Sequence, residues 1–322
     1  MKATARQFIQ SLLLVLAVVV LNFFLLQAAP GDPVETIAGA SGGMSEDLKA
    51  ELRSKYGLDQ PLLVQLGVYL SKVAVGDLGY SYFFNAPVTE LIVQRLPATL
   101  LLVVSAVLFA FLVGTAAGVL ASRKPNGLLS QSITVVSLVG FAAPVFWTGM
   151  MLIILFAATW PLFPISDMRD VASSGDGGWR DVVDVAHHLV LPTVTLAMLF
   201  LAQYSRLSRA SMLDVLGSDY VRTARAKGLG ETTVLYKHAL RNAVLPVVTV
   251  LGLQFGNVLA GAVLVETVFN WPGLGRLALE SVLRRDYPTI LGVLLFSAIV
   301  VVVMNLLTDY VYRLIDPRIR IS

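Results

Sequence analysis

No aspartate, glutamate, lysine or arginine stands between Pro125 and Ser166. A helix crosses the hydrocarbon core of a bilayer in about 20 residues, so this one run is roughly twice as long as a simple span needs. In a soluble domain such a run would have no polar face to turn toward water. It is not alone. Charge-free stretches also cover Gln7 to Gly31, Pro97 to Ser122, Pro246 to Val265 and the greater part of Val185–Arg206 and Pro288–Val311. Charged residues make up 14% of the chain and hydrophobic ones 56%, against about 25% charged in soluble domains. The fold class is therefore all-α, in a polytopic membrane protein.

Six spans follow from these runs. The first is residues 1–29; Gln27-Ala28-Ala29 imitates a cleavage site, but Pro30 follows at once, so an uncleaved helix is expected. Residues 30–96 form the longest polar segment. Ser45 can cap a short helix through Leu52, and Asp59 with Pro61 can start another through Tyr69, giving a small helical cap outside the membrane. Residues 97–312 hold the other five helices. The third of the six is expected over Gly127–Thr159 with a kink at Pro144, and Glu266 to Tyr287 is expected as an external loop. Residues 313–322 are a short tail. With the N-terminus inside, the pieces between spans on that side carry 14 of the 24 lysines and arginines, although they are the shorter share of the polar chain. The positive-inside rule then places both termini, and the segment 207–245, in the cytoplasm.

The missing chemistry is as informative. There is no cysteine, hence no disulfide or thiolate site, and His187, His188 and His238 are the only histidines. Adjacent His187 and His188 do not share a helix face, so they read as a polar membrane boundary and no metal site is expected. No GxxxxGK[ST] phosphate loop occurs. No span carries a carboxylate pair, a relay histidine or a buried lysine, the usual marks of ion-coupled pumps and intramembrane enzymes. A self-contained secondary transporter and a membrane enzyme are thereby disfavoured, and energy, if used, comes from outside the chain.

Within the fifth span Gly252 and Gly256 form a GxxxG face that allows close helix approach. Gln254, Asn257 and Gly261 lie on another side. Two readings are open for them: a water-filled path, or interhelical hydrogen bonds that fix packing.

Asp219 to Pro246 is basic, polar and wedged between two spans. Its first part is a short helix-tolerant stretch, Asp219, Tyr220, Val221, Arg222, Thr223, Ala224, Arg225, Ala226 and Lys227. Gly228-Leu229-Gly230 breaks it, and a helical pattern resumes from Thr232 to Leu245. Basic residues beside a membrane can simply meet lipid headgroups. That does not require a helix–glycine–helix with a small-sided approach surface at Ala224, Ala226 and Gly228, so docking of another protein is the better reading.

These residues resemble the cytoplasmic coupling loop (the EAA loop) of bacterial ABC-importer permeases. The chain as a whole is similar to the first permease subunit of the dipeptide/oligopeptide/nickel branch. The likeness runs through Ala29-Pro30-Gly31-Asp32-Pro33, Tyr56-Gly57-Leu58-Asp59-Gln60-Pro61, Gly76-Asp77-Leu78-Gly79-Tyr80-Ser81, Arg95-Leu96-Pro97-Ala98-Thr99, Glu266-Thr267-Val268-Phe269, Trp271-Pro272-Gly273-Leu274-Gly275 and Asp316-Pro317-Arg318. Against the general Glu-Ala-Ala, three residues, Gly pattern, only Ala224 and Gly228 match; Arg222 and Thr223 depart from it, and Leu240-Arg241 stands where Leu-Pro is usual. The resemblance implies a type I importer permease fold in the bacterial inner membrane, without catalytic residues. It also implies a second homologous permease, two ABC ATPase subunits that bind ATP and Mg, and an extracytoplasmic binding protein. No cofactor on this chain and no nucleic acid are expected. It points to peptides as cargo, with nickel complexes, glutathione or oligosaccharides as alternatives, and to Glu266 and Trp271 as an outer gate or binding-protein contact.

Overall fold

A computed structural model describes residues 2–28, 45–47, 49–50, 60–170 and 178–315. Most of the helix expected after Ser45, the motifs at 29–33 and 56–59, and Asp316-Pro317-Arg318 lie outside the described residues. Within them the chain is helical almost throughout. α1 (Lys2–Ala28) and α2 (Leu62–Ala74) precede a small hairpin of β1 (Tyr80–Ser81) and β2 (Ala86–Pro87), paired antiparallel with Tyr80 opposite Pro87. α3 (Val88–Arg123), α4 (Leu128–Ala142) and α5 (Val145–Ile153) follow, α5 running on as a wider π-helix, Ile154–Thr159. α6 is Trp179–Leu216. The basic segment forms α7 (Asp219–Ala226), α8 (Glu231–Thr233), a π-helical stretch Val234–Ala239 and α9 (Leu240–Ala243). α10 (Leu245–Leu253), α11 (Phe255–Val268), α12 (Leu274–Arg284) and α13 (Tyr287–Ile315) complete the described chain.

The chain divides into two compact units. One joins the chain up to Pro97 with Leu277–Val303; the other is Ala98–Arg276 with Met304–Arg320. In the first, Ser81 is fully buried, and its hydroxyl donates to Asp286 Oδ2 at 2.5 Å while accepting from Phe84 N at 3.0 Å. Thr289 Oγ1 donates to the same Oδ2 at 2.6 Å. Asp286 thus joins the hairpin to the first turn of α13 through two hydroxyls. Gly292 lies against α3: a Cβ there would stand 2.5 Å from Val88 Cγ1.

In the second unit α3 buries Ala98, Leu102, Val103, Ala106, Val107 and Ala110 and exposes Leu101, Val104, Leu108 and Leu112. Both faces are apolar, as lipid allows, and the inward face is distinguished by size: small side chains let helices approach. α3 and α6 approach closely at two glycines. A Cβ on Gly114 would stand 2.8 Å from Tyr204 Cβ, and one on Gly118 would overlap the Ser205 carbonyl oxygen. The core beyond them joins Leu191, Leu196, Ala197 and Phe200 of α6 to Val258, Ala262 and Val265 of α11.

The helix that carries the expected second span starts ahead of it, at Val88, with Pro97 inside. Three expectations are corrected. The third span is not one kinked helix: α4 and α5 stand at 108°. Ala143 and Pro144 are both extended (ψ 136 and 135), because a residue before proline is driven out of the α region. The Glu266–Tyr287 stretch contains a regular helix, α12, and is not simply a loop. The fifth span is interrupted at Gln254, which separates α10 from α11. By length and composition, three described helices suffice to cross a membrane, Val88–Arg123, Trp179–Leu216 and Tyr287–Leu307, with α4 and α5 a fourth if the bent pair is one span.

Candidate functional site

The basic segment folds into the short helix and turn that its residues suggest. Ser218 is extended (φ −74, ψ 156) and opens α7, Asp219 sits in its first turn and Arg225 in its last, each on the favourable side of the helix dipole. Val221 (0% exposed) and Ala224 (6%) share the inner face and pack on Val234, with Val215 and Leu216 around them. Asp219, Tyr220, Arg222, Thr223, Arg225, Ala226 and Lys227 are left on the outside. The alanine that matches the loop pattern is thus the one that must be small. Gly228 ends the helix at φ +78, its N–H donating to Arg225 O at 2.9 Å. A Cβ there would meet open space, so glycine is needed for its backbone and not for room. Leu229 and Gly230 are exposed and lead into α8.

Two side-chain ties hold this turn. Asn242 Nδ2 donates to Tyr220 Oη at 2.8 Å, joining α7 to the end of α9. Arg225 spans the glycine turn and grips Glu231 with both Nε (3.2 Å) and Nη2 (2.6 Å). That hydrogen-bonded guanidinium holds the Glu231 carboxyl below its usual range, and Arg225 is raised in turn. Beneath them Leu235, Ala239 and Ala243 pack with Val119 of α3 and Met212 of α6. Arg123 lies over the Tyr236 ring at 5.5 Å. The segment expected as one helix from Thr232 to Leu245 is a chain of α8, π-helix and α9, and it is anchored on both long helices. Other basic residues are internal anchors: Arg209 donates to Ser130 Oγ and Pro125 O, and Arg206 lies over Phe141. Arg222, Lys227, Lys237 and Arg241 face outward.

The fifth-span residues are divided. Gln254 is 7% exposed, at the junction of α10 and α11, and its Nε2 donates to Gln203 Oε1 on α6 at 2.6 Å. Gly261 lies under Leu196 and Leu199 of α6, where a Cβ would stand 3.2 Å from each. Asn257 is on α11, with its side chain outside the described residues. Gln203 escaped the sequence reading, although it is the lone side-chain amide in the fourth charge-free run. The Gly114/Gly118 pair escaped it too, despite having the same spacing as Gly252 and Gly256.

Glu266 and Trp271 are both fully buried. Thr99 Oγ1 donates to Glu266 Oε1 at 2.6 Å, and Arg276 N donates to Oε2 at 3.0 Å. Thr99 Oγ1 also accepts from Leu274 N at 2.7 Å, and Trp271 Nε1 donates to Ala98 O at 2.8 Å. The carboxylate therefore caps the start of α12 and ties it to α3. This explains the Trp-Pro-Gly-Leu-Gly spacing: a Cβ on Gly273 would overlap the Glu266 carboxylate, and one on Gly275 would come within 2.6 Å of Val263 Cα. Neither side chain reaches a surface where another protein could touch it directly. Asn270, at φ +53, donates to Asp167. His187 meets Leu162 O and His188 meets Asp184, and among the described residues no three ligating side chains form a metal group.

Comparison with known proteins agrees with this arrangement. Residues 110–321 match the family Binding-protein-dependent transport system inner membrane component, and residues 1–103 match its N-terminal region. The dipeptide transport system permease protein DppB of Escherichia coli K12 is 42% identical over 95% of this chain and 94% of its own length. The oligopeptide transport system permease protein AppB of Bacillus subtilis 168 is 39% identical over 98% of both. A chain of the inward-facing MetNI methionine ABC transporter superposes with a TM-score of 0.55 over 70% of this chain and 97% of that one, at 16% identity, which speaks to the fold. A multi-pass helical chain that carries an anchored helix–glycine–helix, and matches the family along nearly its whole length, is a permease subunit of the binding-protein-dependent transport system inner membrane component family.

Proposed function

We propose that this chain forms half of the translocation path of an ATP-driven importer for di- or oligopeptides in the bacterial inner membrane. It has six spans with both termini cytoplasmic and pairs with a second homologous permease. An extracytoplasmic binding protein delivers cargo to the outer side of the membrane, where the segment between the first two spans receives it. Asp219 to Gly230 docks on a separate ATPase, and two ATPase subunits supply ATP and Mg. The observation that carries the reading is the construction of α7: an exposed helix, closed by Gly228, whose buried face and side-chain ties lead into α3, α6 and α9. A force applied to α7 is passed to helices long enough to cross the bilayer, as an externally powered permease requires. The names of the similar permeases, dipeptide and oligopeptide, support the cargo class. Glu266 and Trp271 act as the joint that fixes the α11–α12 corner. Gln254, with Gln203 beside it, borders the path.

The test is co-purification with the partner subunits, followed by ATP hydrolysis in the presence of binding protein loaded with dipeptide, longer peptide, nickel complex, glutathione or oligosaccharide. Stimulation by peptide-loaded protein is expected. Stimulation by one of the other cargoes alone would replace the substrate class, and failure to recruit an ATPase would overturn the coupling role.

A further inference from the structure

α2 offers water no charged face. Its exposed positions are Leu62, Leu63, Val64, Gly67, Val68, Ser71 and Ala74, followed by Val75, with no charge among them. Leu63 is 83% exposed and Val75 81%. Gln65, Tyr69 and Lys72 lie on the half-buried side, together with Leu66, Leu70 and Val73. The helix is held alongside α1: Gln27 Nε2 donates to Gln65 Oε1 at 2.6 Å, and the Phe23 and Tyr69 rings are 5.9 Å apart. Phe23 belongs to the apolar stretch Ile9–Leu25 of α1. At 1.5 Å rise per residue it lies about 7 Å short of the α1 end at Ala28.

We infer that α2 is an interfacial helix, lying in the boundary layer of the bilayer with Leu63, Val64, Val68 and Val75 against acyl chains. α1 likewise exposes apolar side chains next to the Phe23 and Gln27 contacts in sequence, Leu21, Phe24 and Leu25 at 56%, 51% and 48%. Tyr69 and Lys72 are of the amphipathic type that membrane interfaces favour. The assignment rests on α1 being a membrane span and holds whatever the cargo is. It removes α2 from the surface offered to a binding protein and leaves that role to the rest of the outer segment.

The chain has no cysteine, so a single introduced one can be labelled without background from this subunit. Leu63→Cys and Val75→Cys, each spin-labelled before assembly with the partner subunits, are placed in phosphatidylethanolamine/phosphatidylglycerol nanodiscs. Collision with oxygen is then compared with collision with a water-soluble nickel chelate. Leu12→Cys, on the exposed side of α1, is the lipid reference, and Lys124→Cys the aqueous one. Oxygen collision severalfold above nickel collision, near the Leu12→Cys ratio, is the expected result. A ratio like that of Lys124→Cys overturns the inference in favour of water. Low collision with both reagents overturns it in favour of a covering protein.

Discussion

Replacing Thr99 by valine should loosen the α11–α12 corner by an amount set by Glu266. Thr99 is 2% exposed, and its hydroxyl makes two bonds, donating to Glu266 Oε1 at 2.6 Å and accepting from Leu274 N at 2.7 Å. Valine keeps the shape and removes both. A hydrogen bond to a charged group contributes about 1.5–3 kcal/mol, and a buried N–H left unpaired costs about 1–3 kcal/mol. The single substitution is therefore expected to cost about 3–5 kcal/mol. Glu266→Gln keeps the volume and one acceptor oxygen but points an amide N–H₂ at Thr99 Oγ1 or Arg276 N, costing about 1–3 kcal/mol. In the valine background part of that conflict is already gone. The double-mutant cycle should thus show a coupling of about 1–2 kcal/mol. The assay is equilibrium unfolding of the purified chain in mixed dodecylmaltoside/SDS micelles, followed by circular dichroism, with Thr99→Ser as the variant that retains both bonds. Additive costs, or a valine variant as stable as the parent, would refute the capping account of Glu266.

Gly228→Ala and Gly228→Val test the turn. Alanine at φ +78 costs about 1–2 kcal/mol of backbone strain with no steric contact to add, so it should reduce coupled ATP hydrolysis modestly. Valine, which resists the left-handed region, should abolish stimulation while membrane insertion is kept; normal coupling in the valine variant would sink this account. Tyr220→Phe removes the hydroxyl that Asn242 holds, and should lower stimulated hydrolysis severalfold without weakening ATPase co-purification. Equal loss of both would mean that Tyr220 is a docking residue only. For Glu231, whose carboxyl is depressed by Arg225, the tie is fully present above the ordinary carboxylate range and is lost only as pH falls through the lower folded value. Coupling should therefore show no dependence on this group between pH 6 and 8, and Glu231→Gln should lower it equally across that window; a pH-dependent deficit would contradict the sign. Gln254→Leu distinguishes path from packing: a stable assembly with altered peptide uptake supports the path, and a lowered unfolding midpoint with normal uptake supports packing.

The glycine turn was legible because its signals are local. A glycine between two helix-tolerant stretches needs no tertiary information to be recognised, and Gly228 adopts positive φ as such a glycine should. Basic residues were legible only as a total. Arg123, Arg206 and Arg209 turn out to hold Tyr236, Phe141, Ser130 and Pro125, and no count could separate them from outward-facing Arg222 and Lys227. Glu266 and Trp271 were found as a motif but not as a mechanism. Their partners Thr99 and Ala98 stand far away in sequence, and Gly273 is small because the carboxylate occupies the space where its Cβ would be.

Prolines show why apolar runs gave spans but not their directions. Pro97, Pro144 and Pro192 each follow a small or aliphatic residue in an apolar run, and each deletes one backbone donor. Two remain inside helices, α3 and α6, and the third turns the chain by 108°. The local sequences do not separate them; the surroundings do. Around Pro192 the side chains Leu191, Thr193, Thr195 and Leu196 are all buried, and around Pro97 the following Ala98 and Thr99 are held by Trp271 and Glu266. At those sites straightening the helix keeps packing that a turn would lose. At Pro144 Val145 is buried but Phe141, Ala142, Phe146 and Trp147 are exposed, so less packing opposes the extended backbone that proline imposes on Ala143. A burial contrast of this kind decides between kink and turn, and it exists only once the other helices are in place.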